Sequence, residues 1–268
     1  MVELEGQEMI TLSPKDLNDL KQAVTLLENK SFIIRLTNII GKPVEAGFRY
    51  LPSVVHKAAK MAIYAAYNFA AITLDEKDIS RKSSDMMHKI CTTTSGMAGG
   101  FIGLPAIPIE LPITTVLMLR SIADIARKEG ENIRDVRTRL ACIEVFALGG
   151  REAGEAGEVL YYAIRRGLAQ AVSEAAEYIA VKGMTDEAAP ALVRLITQIA
   201  SRFEIIVSEK IAAEALPIIG AIGGGLINLA FTNHFQDMAK GHFIIRRLER
   251  RYGEEVIQQA YKEVRNEK

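Results

Sequence analysis

The chain has 268 residues, 33 basic and 33 acidic side chains, no tryptophan and 49% hydrophobic residues. That length allows one large domain or two small ones, with a core that folds without staples. Zero net charge excludes a nucleic-acid binder that relies on a global basic field, and the two cysteines, Cys91 and Cys142, exclude a disulfide framework. The charged fraction is an ordinary 25%, yet mean hydropathy is slightly positive at +0.11, so apolar residues must be concentrated locally.

The opening MVELEGQ (residues 1–7) is acidic, with no basic or apolar region of a signal peptide, and predicts a cytoplasmic chain. Residues 1–12 read as an N-terminal arm and 13–268 as a single helical domain. Ser13-Pro14-Lys15-Asp16 supplies a cap, a proline at the first helical position and an acid in the first turn. Leu17, Leu20, Val24 and Leu27 then recur at helical spacing. An Ala- and Tyr-rich run follows Pro52, and a third helix is expected from Asp85 toward Gly96. The next is expected over 109–128, stopped by Gly130, and another follows a cap at Asn132 and carries Val136, Leu140, Ile143 and Ala147. GGREAGEAGE (149–158) holds four glycines in ten residues, each weakening a helix by roughly 1 kcal/mol, and is where a break between halves is expected. Long helices follow over 159–181 and 185–216, the latter capped by Thr185, and then an amphipathic tail with Val256, Ile257, Ala260, Tyr261 and Val264. No segment alternates with period two, so the reading is an all-α multi-helix bundle.

The apolar residues are concentrated in two blocks. Between residues 90 and 119 the single charge is Glu110, and between 215 and 236 there is none apart from His234. Both blocks carry small residues four apart (Gly96 and Gly100, Gly99 and Gly103, Gly220 and Gly224), a spacing that lets helices approach closely. Both also carry proline: Pro105, Pro108 and Pro112 in one, Pro217 in the other, which argues against straight helices through the first block. Three readings stay open. The blocks form a central buried hairpin, enter a bilayer part-way as a membrane-facing hairpin, or span it. Beyond the second block lies IIRRLERRY, and Arg246, Arg247, Arg250 and Arg251 form a basic cluster of the kind that anionic lipid attracts. The plainer reading is a solvated helix end whose arginines favour the dipole and pair with nearby glutamates.

The chemistry-bearing residues are sparse. No metal-ligand spacing, phosphate loop, dinucleotide fingerprint or GxSxG elbow is present, so neither a metal nor a cofactor is expected. The best group is Asn228, Asn233, His234 and Asp237, with Glu110 brought over from the other block. His234 and Asp237 are three apart on one helix face, and as a catalytic set His234 would be the base, Asp237 its orienter and Glu110 an acid or a metal ligand. The bland alternative has His234 and Asp237 pairing where a helix meets water and Asn228 satisfying a buried contact. Glu110, costly in an apolar run unless paired, is either a first-turn acid or the partner of Asn228, Asn233 or one of the four arginines.

The stretches GGFIGLPAIPIELPITTVLMLRSIADIARKEG (99–130) and LPIIGAIGGGLINLAFTNHFQDMAKGHFIIRRLERRYGEE (216–255) resemble the EcsC protein family. The order of features carries the likeness: a Gly/Pro-rich turn, an acid before an apolar helix, an arginine beyond it, then a glycine-rich segment running into LERRYG. Glu110 stands where relatives often have aspartate, which keeps the carboxylate, and Glu129 where they often have tyrosine. The resemblance implies a link to an ABC transporter associated with secretion and competence, and no established reaction. The leading expectation is therefore a non-enzymatic protein, peripheral at the inner face of the cell membrane. Its apolar blocks would make the contact, and Arg246, Arg247, Arg250 and Arg251, with Asn228 and Asn233, would bind lipid or another ligand. Its partner would be an anionic membrane surface or a membrane protein. The alternatives are a small hydrolase-like enzyme and a soluble interaction scaffold.

Overall fold

The computed structural model describes residues 12–28, 32, 36–38, 54–73, 107–150, 160–183, 189–214 and 221–267. The chain is all-α: α1 (Pro14–Leu27), α2 (Val54–Thr73), α3 (Ile107–Lys128), α4 (Val136–Glu144) running into a 3-10 turn (Val145–Ala147), α5 (Leu160–Lys182), α6 (Pro190–Glu214), α7 (Ala221–Tyr252) and α8 (Glu254–Asn266). Several expectations lie outside the described residues: the helix from Asp85, the glycine pairs at 96–103, Gly220, Pro105, Pro217, the Thr185 cap, and residues 151–158 of the glycine-rich break.

Local chemistry explains the helix ends. Ser13 caps α1 by accepting the Asp16 N–H at 3.1 Å, with Pro14 at the first helical position as the sequence predicts. The cap of α4 is Asp135, which accepts the Arg137 N–H at 2.7 Å. Asn132 instead accepts the Arg134 N–H at 3.2 Å and organises the turn before it. Gly130 takes a left-handed φ of 81° after α3, and Gly253, at 92°, separates α7 from α8. α8 buries Val256, Ile257, Ala260, Tyr261 and Val264, the five apolar positions of the amphipathic tail.

The prolines do not break α3, which continues through Pro112. Pro108 lies in the first turn, where N–H groups have no intrahelical partner, so Pro112 alone forfeits a ladder bond. α3 packs on α2 and α7, and α6 on α2, α5 and α7. α7 is the hub, touching α1, α3, α6 and α8, and the buried residues of all the named helices form one continuous core. Phe146, Phe203, Phe231 and Phe235 pack against one another within it in tilted and edge-to-face pairs, with ring centroids 5.2–6.1 Å apart.

The described parts of the two apolar blocks therefore meet as α3 against α7. Both helices contribute to the core: Leu111, Met118 and Leu119 of α3 and Ile227, Phe231 and Phe235 of α7 are all buried. Among the described residues no helix is long and apolar enough to cross a membrane. A close backbone approach lies further along α7, where a Cβ on Gly241 would stand 2.6 Å from Leu27 Cγ and 3.2 Å from the Ala23 carbonyl oxygen. Gly225, inside the second block, has open space around it.

Candidate functional site

The beginnings of α3 and α7 lie together at one end of the bundle, because Asn228 Nδ2 reaches Glu110 Oε1 at 3.5 Å. Glu110 also accepts from Lys210 Nζ on α6 at 3.2 Å, and Lys210 makes a second ion pair at 2.8 Å with Glu214, one turn further on. Lys210 is buried, with its ammonium 5.6 Å from the centre of the Phe231 ring. Burial favours the neutral amine, but the charges of Glu214 and Glu110 and their hydrogen bonds outweigh it and raise the pKa, so Lys210 stays protonated. For Glu214, burial raises the pKa and dominates the opposing charge of Lys210. Exposed aliphatic side chains lie at the same end. Ile109 is 58% exposed next to Glu110, and Leu226 and Leu229, at 47% and 56%, lie in the turns of α7 around Asn228. Glu110 thus has the partner that its apolar setting demands. Of the partners expected, Asn228 is one, while Lys210 was missed; its sequence, EKIAAE, reads as a routine i,i+4 surface pair.

The proposed catalytic group does not assemble around Glu110. His234 lies six residues beyond Asn228, about 9 Å along α7 and some 240° round it. His234 is buried between Phe32 and Phe235, both ring centroids 5.2 Å away, and lines a pocket with Glu28, Leu148, Gly149, Tyr161 and Met238. Asp237 is partly buried and Asn233 is exposed. His242, two turns further on, meets the Tyr161 hydroxyl at 3.0 Å through Nδ1. Burial, reinforced by the charges of Arg165 and Arg246, holds its pKa well below the usual histidine value, so it is neutral. Burial, with the charge of Glu131 assisting, pushes the Cys142 thiol up to about 12, which leaves no thiolate nucleophile there. Among the described residues no group of three histidine, cysteine or acidic side chains is placed to hold a metal.

The four arginines lie at the other end of α7 and each is engaged within the chain. Arg246 Nε donates to Glu131 at 2.8 Å, and Arg250 pairs with the same carboxylate. Arg247 meets Asp19 at 2.7 Å and Glu129 at 2.9 Å, and Arg251 meets Asp16 at 2.9 Å. Burial raises the Glu131 pKa, but the hydrogen bond and charge of Arg246, with Thr138 and Arg250, more than offset it and lower the value. The cluster that the sequence offered to lipid thus fastens α1 and the turn before α4 onto α7. Its partners, Asp16, Asp19, Glu129 and Glu131, come from segments far away in sequence, and no spacing rule reveals them.

A family model for the EcsC protein family matches residues 14–248. No curated protein and no solved structure matches the chain.

Proposed function

The chain belongs to the EcsC family, and we propose that it is a non-enzymatic helical protein that attaches reversibly to a membrane from the cytoplasmic side. The observation that carries this reading is the convergence of two nearly charge-free blocks at one end of the bundle, where Ile109, Leu226 and Leu229 stay exposed. Apolar surface of this kind is covered favourably by hydrocarbon. Burying three roughly half-exposed aliphatic side chains contributes about 3 kcal/mol, a scale suited to reversible rather than permanent attachment. The arginines play a smaller part in this reading than their position suggests, since carboxylates of the same chain already neutralise them. A transporter or secretion complex is the membrane partner that the family resemblance implies. The hydrolase alternative needs Glu110 beside His234, and Glu110 is instead held by Lys210 and Asn228.

Flotation with vesicles of mixed zwitterionic and anionic lipid tests the proposal. The intact protein is expected to rise with the vesicles, and Leu226→Glu with Leu229→Glu to reduce the floating fraction at least several-fold. An intact protein that stays in the soluble fraction ends the reading.

A further inference from the structure

The apolar end carries an unbalanced charge. Two carboxylates, Glu110 and Glu214, share one ammonium, Lys210, at 3.2 and 2.8 Å. The lysine side chain is 5% exposed, while the carboxylates are 29% and 27% exposed and reach solvent at the same end as Ile109, Leu226 and Leu229. In water the surplus negative charge is hydrated. Under hydrocarbon it would lose that hydration with no cation to replace it, the situation in which an ionisable group neutralises instead.

We propose that seating this end on a bilayer takes up one proton from solvent onto the Glu110–Lys210–Glu214 cluster, so that membrane attachment is coupled to pH. The inference rests on the membrane reading and adds its regulation. The proton bonds to a carboxylate oxygen, leaving one carboxylate and one ammonium as a neutral pair, and lipid then covers a cluster of zero net charge. Burial already moves Glu214 toward the protonated form in the free protein, with Glu110 reinforcing the shift and Lys210 opposing it.

Among the described residues, no other charge near the cluster is placed to take this part. α7 has no ionisable residue from Ala221 to Asn233, and on α3 the next charge after Glu110 is Arg120. α2 packs on both α3 and α6, and its charges, His56, Lys57 and Lys60, are confined to its first two turns. His56 meets Glu204, about 15 Å back along α6 from Glu214. α5 engages α6 through Glu174 and Arg194, further still from the cluster. The 3-10 turn is apolar, and Glu209, also buried, points about 100° away from Lys210 round α6.

Vesicles of phosphatidylcholine alone avoid any change of lipid charge with pH. The partition of the intact protein onto them is expected to rise by up to about tenfold per unit as pH falls from about 7.5 to about 5.5. Glu214→Gln and, separately, Glu110→Gln each leave Lys210 one carboxylate, and each is expected to bind at the higher level throughout, without the slope. In weakly buffered solution, adding vesicles to the intact protein is expected to consume about one proton per bound chain, a readout that needs no variant. Binding that does not change with pH and consumes no proton overturns the coupling while leaving the membrane reading in place. A slope that survives in both variants also overturns it, by locating the titrating group elsewhere. Failure to bind these vesicles at any pH overturns this inference, and failure to bind the mixed anionic vesicles as well removes the membrane reading with it.

Discussion

Gly149 joins two constraints at one residue. Its φ of 86° is left-handed, and a Cβ there would stand 2.7 Å from His234 Cε1 and 3.0 Å from Met238 Sδ. Gly183 has nearly the same backbone, at 79°, with nothing within 4 Å. Alanine at 183 is therefore expected to cost only the left-handed backbone term, about 1 kcal/mol, and alanine at 149 about 3 kcal/mol once overpacking against His234 is added. Urea unfolding of the two variants measures the difference, and equal losses would show that the contact with His234 carries no weight. The sequence singles out Gly149 as a helix breaker, which it is, but not as a seat for a histidine ring. Glu110 shows the same division. A carboxylate in an apolar run announces that it needs a partner, and burial energetics make that legible from one strand of text. Which residue answers depends on how α3, α6 and α7 cross, and that information is non-local.

At the scale of elements, legibility follows the range of the interaction. Caps, prolines in first turns and the apolar stripe of α8 are set within four or five residues, and the sequence reads them directly. The exceptions are instructive: Asp135 displaces Asn132 as a cap because the turn between them is itself built on Asn132, and α3 absorbs Pro112 because tertiary contacts with α2 and α7 outweigh one lost hydrogen bond. Contacts between helices are where reading stops. Glu131 illustrates it, since one carboxylate from the turn after α3 accepts Arg246 at 2.8 Å and Thr138 Oγ1 at 2.9 Å, and pairs with Arg250. It is 5% exposed, whereas its arginine partners are 24% and 44% exposed, so solvent softens the cost of losing it. Glu131→Gln is expected to destabilise the protein by about 2 kcal/mol, less than for a fully buried pair. It should also lower the thermal midpoint measured by circular dichroism. An unchanged midpoint would mean that the arginines are as well served by water and would return them to the surface as free charges.

Across the whole molecule, α7 sets the polarity. It is a single helix of 32 residues, about 48 Å long, that begins in a charge-free block and ends in four arginines. In the sequence these features follow one another so closely that they read as one membrane-binding module, apolar contact beside basic attraction. The unbroken helix separates them: Leu229 and Arg251 are 22 residues apart, about 33 Å along the axis. One end has exposed aliphatic side chains and an unbalanced carboxylate, and the other has arginines committed to Asp16, Asp19, Glu129 and Glu131. A bilayer that meets the apolar end first would leave the arginine end in water. An environment-sensitive fluorophore distinguishes the orientations when attached through Leu229→Cys or, separately, Arg251→Cys, each in a background with Cys91 and Cys142 replaced by alanine. With vesicles the probe at 229 is expected to shift to the blue and the probe at 251 to stay at its aqueous wavelength. The reverse pattern would make the arginines the lipid-facing group after all. A shift at both positions would lay α7 flat on the surface, with the ion pairs at its C-terminal end opened by lipid phosphate.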